Sequence, residues 1–169
     1  ESVRPALDEM VAAGNATFME PRQMWVITPD GRSAHEPLLA NVVSSLTLDG
    51  MPYERFLALN NDFKQLCTDW QMKDGQPNDH SDASYDQSIF DRLATLHDQS
   101  APVVTAMAAA IPWLAPYPAR LTAAKQRVDD GDPKALTGVL CDSYHDIWME
   151  LHEDLILTQG IDRAAEGST

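Results

Sequence analysis

Apolar residues recur every three or four positions along three long stretches of this chain. They are Tyr53, Phe56, Phe63, Cys67 and Trp70, then Tyr85, Ile89, Leu93, Leu96, Val103 and Met107, then Tyr144, Ile147, Leu151 and Leu155. That interval is the repeat of an α-helix that buries one face. Stripes of this kind must cover one another, so the expected core is a bundle of four or five helices. The first helix should run from Tyr53 to about Met72, with one amide, Asn60, on its apolar face. The second carries Pro102, which marks a kink or break. A third is read from about Ala119 to Val128, and a last one continuously from about Lys134 to Thr158. Between the first two lies "KDGQPNDHSDAS", rich in turn formers and poor in apolar residues, which reads as a surface loop.

The first 48 residues have a different pattern. Val3, Ala6, Leu7, Met10 and Val11 make a short amphipathic helix from Ser2 to Ala13, stopped at Gly14. "NATFME" and "QMWVIT" are two β-favouring runs separated by a turn, which predicts a hairpin. In "TPDGR", Thr28 or Asp30 can cap a further helix over Ser33 to Leu46. Asp49, Gly50 and Pro52 then form a linker. The predicted organisation is a module over 1–48, a helical bundle over 49–160 and a frayed tail over 161–169, mostly α with one short hairpin.

Charge limits the partners. The 169 residues hold 26 acidic and 12 basic side chains, a formal charge of −14. A surface of that sign repels nucleic acid at long range unless a basic patch is present locally. The 44% hydrophobic fraction is that of an ordinary globular protein, and no apolar run approaches the ~20 residues needed to span a bilayer. Cys67 and Cys141 are the only cysteines and form no CxxC pair. Reduced thiols and a cytoplasmic location are the expectation.

The order of helix, glycine, two short strands, "TPDGR" and helix is similar to the second half of a winged helix-turn-helix domain of MarR-like bacterial regulators. "ESVRPALDEMVAAGNAT" matches the recognition helix and its exit, and "MWVITPDGRSAH" the second wing strand and the next helix. The resemblance implies a DNA-contacting module, with Ser2, Arg4, Arg22 and Arg32 as its candidate contacts. The segment departs from the pattern in carrying Glu1, Asp8 and Glu9, of which Asp8 and Glu9 would face phosphate at a cost. A helical region after a winged helix resembles the sensing or dimerising bundle of such regulators, and implies a homodimer or another protein partner. "YERFLALNNDFKQLCTDWQ" and "DSYHDIWMELHEDL" also resemble helical segments of actinobacterial proteins linked to phosphoenolpyruvate-utilising enzymes. That resemblance implies an assembly or regulatory tail of a larger protein.

Candidate chemistry follows from the helical stripes. Their aromatic residues are read as core or dimer interface. Alternatively, Asn60, Lys64, Thr68, Tyr144, His145 and Trp148 line a ligand pocket between helices, where Lys64 could select a small organic anion in an otherwise acidic bundle. A metal site would need His97, His145 or His152 to converge with carboxylates such as Asp69, Asp142 or Glu153. His145 and His152 stand about two turns apart, roughly 10 Å, too far to share one ion on a straight helix. No nucleophile motif, phosphate loop or dinucleotide fingerprint occurs. The expectation is a non-catalytic regulatory module without a cofactor, and a metal-binding helical domain is the further alternative.

Overall fold

The computed structural model describes residues 3–161, which divide at Leu46 and Thr47 into two compact units. Residues 162–169 of the predicted tail and residue Ser2 lie outside the described residues.

In the first unit, helix α1 (Arg4–Ala12) has Pro5 in its first turn, where the missing N–H costs nothing. Gly14 ends it at φ +76°, and the Asn15 N–H bonds back to the Met10 carbonyl at 2.9 Å. That is the left-handed exit that glycine makes without strain. Strands β1 (Ala16–Met19) and β2 (Met24–Ile27) pair antiparallel, with Phe18 opposite Trp25. A turn of 3₁₀-helix over Glu20–Arg22 joins them.

Helix α2 (Pro29–Val43) begins earlier than Ser33, because Thr28 caps it and Pro29 takes its first position. The Thr28 Oγ1 accepts the Gly31 N–H at 3.0 Å and donates to the Gly14 carbonyl at 2.6 Å. One threonine thus ties both helix ends together. Gly31 has a steric reason to be glycine: a Cβ there would lie 2.0 Å from the Asn15 carbonyl oxygen.

The second unit is a four-helix bundle of α3 (Tyr53–Gln71), α4 (Ala83–Ala110), α5 (Tyr117–Asp129) and α7 (Tyr144–Gln159), with the one-turn helix α6 (Lys134–Thr137) before the last. Cross-contacts fix an up-down-up-down order. Arg92 near the start of α4 pairs with Asp69 near the end of α3, and Tyr117 at the start of α5 donates to Asp154 near the end of α7. The connection between α3 and α4, read above as plain loop, contains a tight hairpin of β3 (Met72–Lys73) and β4 (Gln76–Pro77). Asp74 and Gly75 both take positive φ, as a two-residue hairpin turn requires.

Helix α4 runs unbroken through Pro102. Ser100, Val103, Val104 and Met107 are buried on either side of it, so packing outweighs the lost backbone bond. The predicted helix over 134–158 is interrupted. Gly138 to Ser143 form a loop in which Leu140 and Asp142 adopt positive φ, and α7 starts afresh at Tyr144. Ser143 caps the new helix by accepting the Asp146 N–H at 3.0 Å, while the Asp146 carboxylate accepts the Cys141 N–H at 3.0 Å. Helix α5 holds this loop from the side. Arg127 donates to the carbonyls of Cys141 and Asp142, and Arg120 bridges Asp142 and Glu150. Cys141 therefore lies exposed in the loop that interrupts the helix read over 134–158, whereas Cys67, on the apolar stripe of α3, is buried.

Candidate functional site

Helices α3 and α7 meet through aromatic side chains. Phe56 and Phe63 of α3 lie 5.2 and 5.1 Å, centroid to centroid, from the Trp148 ring of α7, and Phe63 is 5.4 Å from Tyr144. Side chains of this size hold the two backbones apart. Beside the aromatic layer they leave a groove of about 470 Å³, within the usual range for small-molecule sites.

Four of the six residues singled out from the sequence line this groove: Asn60, Lys64 and Thr68 from α3, and His145 from α7. The other two do not. Tyr144 is fully buried, with its hydroxyl 3.3 Å from His97 Nδ1, and Trp148 is fully buried beneath the groove. Phe63, Cys67, Gln71, Met149, His152 and Ile156 complete the lining and were not in the predicted set. Their signal was present, since 60, 64, 67, 68 and 71, and likewise 145, 149, 152 and 156, are ladders of three and four residues on one helix face.

Polar atoms in the groove have defined roles. The Trp148 Nε1–H donates to Asn60 Oδ1 at 3.0 Å. An indole N–H can only donate, so Asn60 must turn its oxygen to it, and the amide NH₂ is the part available to the groove. Thr68 donates its hydroxyl hydrogen to the Lys64 carbonyl at 3.0 Å and keeps its lone pairs as acceptors. Lys64 is exposed and makes no ion pair among the described residues. Burial pushes the Cys67 thiol up to about 12, which keeps it neutral and a poor nucleophile. His145 lies against Phe63, and His152 is buried with its ring 5.4 Å from Phe56. Among the described residues no three His, Cys, Asp or Glu side chains converge as a metal site would need.

The DNA-contact candidates are spread over the first unit. The Arg4 guanidinium lies 4.8 Å from the Trp25 ring centroid and donates to Asp8 at 3.2 Å, so it packs α1 on the hairpin. Arg22 ends the hairpin turn and Arg32 sits in the first turn of α2, both exposed. Ser2 lies outside the described residues.

No protein-family model, curated protein or solved structure matches this chain. Among the described residues no helix is long and apolar enough to cross a membrane.

Proposed function

We propose that the chain is a non-catalytic regulatory module whose helical bundle senses a small organic anion in the groove between α3 and α7. The supporting observation is the position of Lys64. In a chain with 26 acidic and 12 basic residues, it stands on the wall of this groove without an ion pair among the described residues. Around it are a spare amide NH₂ on Asn60 and the imidazole of His145, the donors that a carboxylate or phosphate group needs. An occupant that bridges α3 and α7 favours one spacing of the two helices over another, and a shift of that population is the signal. In this reading the helix–hairpin–helix unit delivers the output, to DNA through Arg22 and Arg32 or to a protein.

Calorimetric titration with succinate and with inorganic phosphate tests the sensing step. Saturable binding of at least one anion, weakened about tenfold or more by Lys64→Gln, is the expected result, since a hydrogen bond to a charged group contributes about 1.5–3 kcal/mol. Absence of binding, or equal binding by the variant, rejects it.

A second reading has its own support. In the first unit only Ala16 and Gly31 among the described residues are buried, while Val3, Met10, Val11, Leu38 and Val42 are exposed along its two helices. Such a surface suits an assembly element that completes its core against a protein partner. Light scattering of the purified chain, with and without Val42→Glu and Leu38→Glu, tests this. A monomer whose mass and solubility ignore both changes argues against assembly through this face.

A further inference from the structure

We infer that the helical unit has a second binding cleft, suited to a planar aromatic molecule bearing one carboxylate. It lies between the loop before α4 and the turn joining α5 to α6, and encloses about 650 Å³, room for a molecule of one or two rings.

Its floor is aromatic. Trp70 from the end of α3 and Phe90 from α4 lie 5.2 Å apart, centroid to centroid, and the His80 ring covers Trp70 at 4.2 Å. Val128 and Pro133 add apolar walls from the other side. Flat π-faces and aliphatic edges favour a planar, largely apolar body.

The charges around the cleft select the other half of the ligand. Asp86, in the first turn of α4, is the acidic residue in its lining, and its carboxylate is engaged by Asn78 at 3.0 Å and His80 at 3.1 Å from the preceding loop. The acids of the neighbouring turn are engaged too: Asp129 by Lys125, Asp130 by Gln126 and Asp132 by Arg127. Lys134, at the mouth, is exposed and has no ion pair among the described residues. Lys134 is therefore the cation open to a ligand above the aromatic floor, while hydrogen bonding leaves the carboxylates of Asp86 and Asp130 charged nearby. A molecule with two anionic groups would meet the surrounding acids with its second, whereas one carboxylate on a ring system matches the cleft.

The loop that carries His80 is built to hold its position. The Asn78 side chain donates to the Trp70 carbonyl at 3.1 Å, the Asn78 N–H bonds to the Gln71 carbonyl at 2.8 Å, and Lys73 pairs with Asp82 at 2.7 Å. His80 itself takes φ +58°, outside the usual range for a side-chain-bearing residue. The cleft is thus preorganised, and binding need not first order its wall.

The test is titration of the whole chain with naphthalene-2-carboxylate, followed by calorimetry and by the indole N–H resonance of Trp70. The uncharged naphthalene-2-methanol serves as comparison. Saturable binding of the carboxylate with a shift of the Trp70 resonance, weakened about tenfold or more by Lys134→Gln, is expected. The methanol analogue should bind about tenfold more weakly than the carboxylate and be insensitive to that change. Because Lys134 uses only its backbone in internal hydrogen bonds, K134Q should leave the fold intact. No saturable binding, an unmoved Trp70 resonance, or affinity that K134Q leaves within twofold overturns the assignment.

Discussion

The indole N–H of Trp148 and the side-chain oxygen of Asn60 form a 3.0 Å hydrogen bond between two residues at most 3% exposed, joining α7 to α3 in the middle of the bundle. Both groups are cut off from water, so removing one strands the other. Asn60→Leu keeps the volume and leaves the indole N–H without a partner, which should cost about 1–3 kcal/mol in urea unfolding. Trp148→Phe strands the oxygen and adds a cavity. The double variant should be more stable than the sum of the two single losses predicts, by about 0.5 kcal/mol or more. Strict additivity would mean that the bond contributes nothing specific.

Gly31 makes a sharper steric case. A methyl group at this position would lie 2.0 Å from the Asn15 carbonyl oxygen, a backbone atom that cannot swing aside. Gly31→Ala should cost about 1–3 kcal/mol, the usual range for overpacking, confined to the first unit. The Thr28 N–H, bonded to that same carbonyl at 3.0 Å, should exchange with solvent deuterium faster by a comparable free energy. Unchanged exchange at Thr28 would show that the two helix ends are not joined there.

The two thiols should differ in reactivity and in what they do to stability. With the Cys67 thiol pushed up to about 12, roughly one molecule in 10⁴ carries a thiolate there at pH 8. Iodoacetamide should then label exposed Cys141 in the folded protein and Cys67 only on unfolding. Because the folded value lies above 9.0, the ordinary value for the thiol, its contribution to stability is complete below pH 9 and is lost as pH rises towards 12. Rapid double labelling of native protein would contradict the buried placement.

His97 gives the opposite sign. Burial, and secondarily the charge of Lys125, hold it below its ordinary value of 6.5, so the unfolded chain takes up a proton that the folded chain resists. Its contribution is complete above pH 6.5 and is lost as pH falls through the folded value, at no more than about 1.4 kcal/mol per pH unit. Chemical denaturation from pH 7 to 5 should show a shallower decline for His97→Gln than for the natural chain. Parallel curves would remove His97 from the acid response.

The elements were legible where one local pattern decided them. The stripe through Phe56, Phe63 and Trp70 predicted α3 with its ends, and Asn60 stood out because an amide on an apolar face needs a partner. The interruption before α7 was hidden for a physical reason. Leu136, Leu140, Tyr144 and Ile147 keep the helical interval straight through the loop, although Leu140 is 74% exposed. The signs that overrule the stripe are local ones, Gly138 and the capping pair Ser143 and Asp146. The groove was legible only by halves. Each helix shows its own ladder of residues, but the pairing of α3 with α7 joins positions some ninety residues apart, as Asn60 and Trp148 illustrate, and no local pattern reports it.

The capping of α7 connects stability to the proposed sensing. Ser143 Oγ accepts the Asp146 N–H at 3.0 Å and donates to the Gly138 carbonyl at 2.5 Å, so it both starts the helix and closes the loop before it. His145, on the groove wall, lies in the turn that this cap holds. Ser143→Ala should cost about 1–2 kcal/mol of stability, the range for a lost helix cap. If the groove binds its anion partly through His145, fraying of that turn should also weaken succinate or phosphate binding severalfold, although Ser143 does not line the groove. The affinity should recover when stability is restored by a substitution remote from α7, if the loss arises from fraying. Stability lost with affinity unchanged would place the binding contacts on α3, and reduce the part of His145 to packing against Phe63.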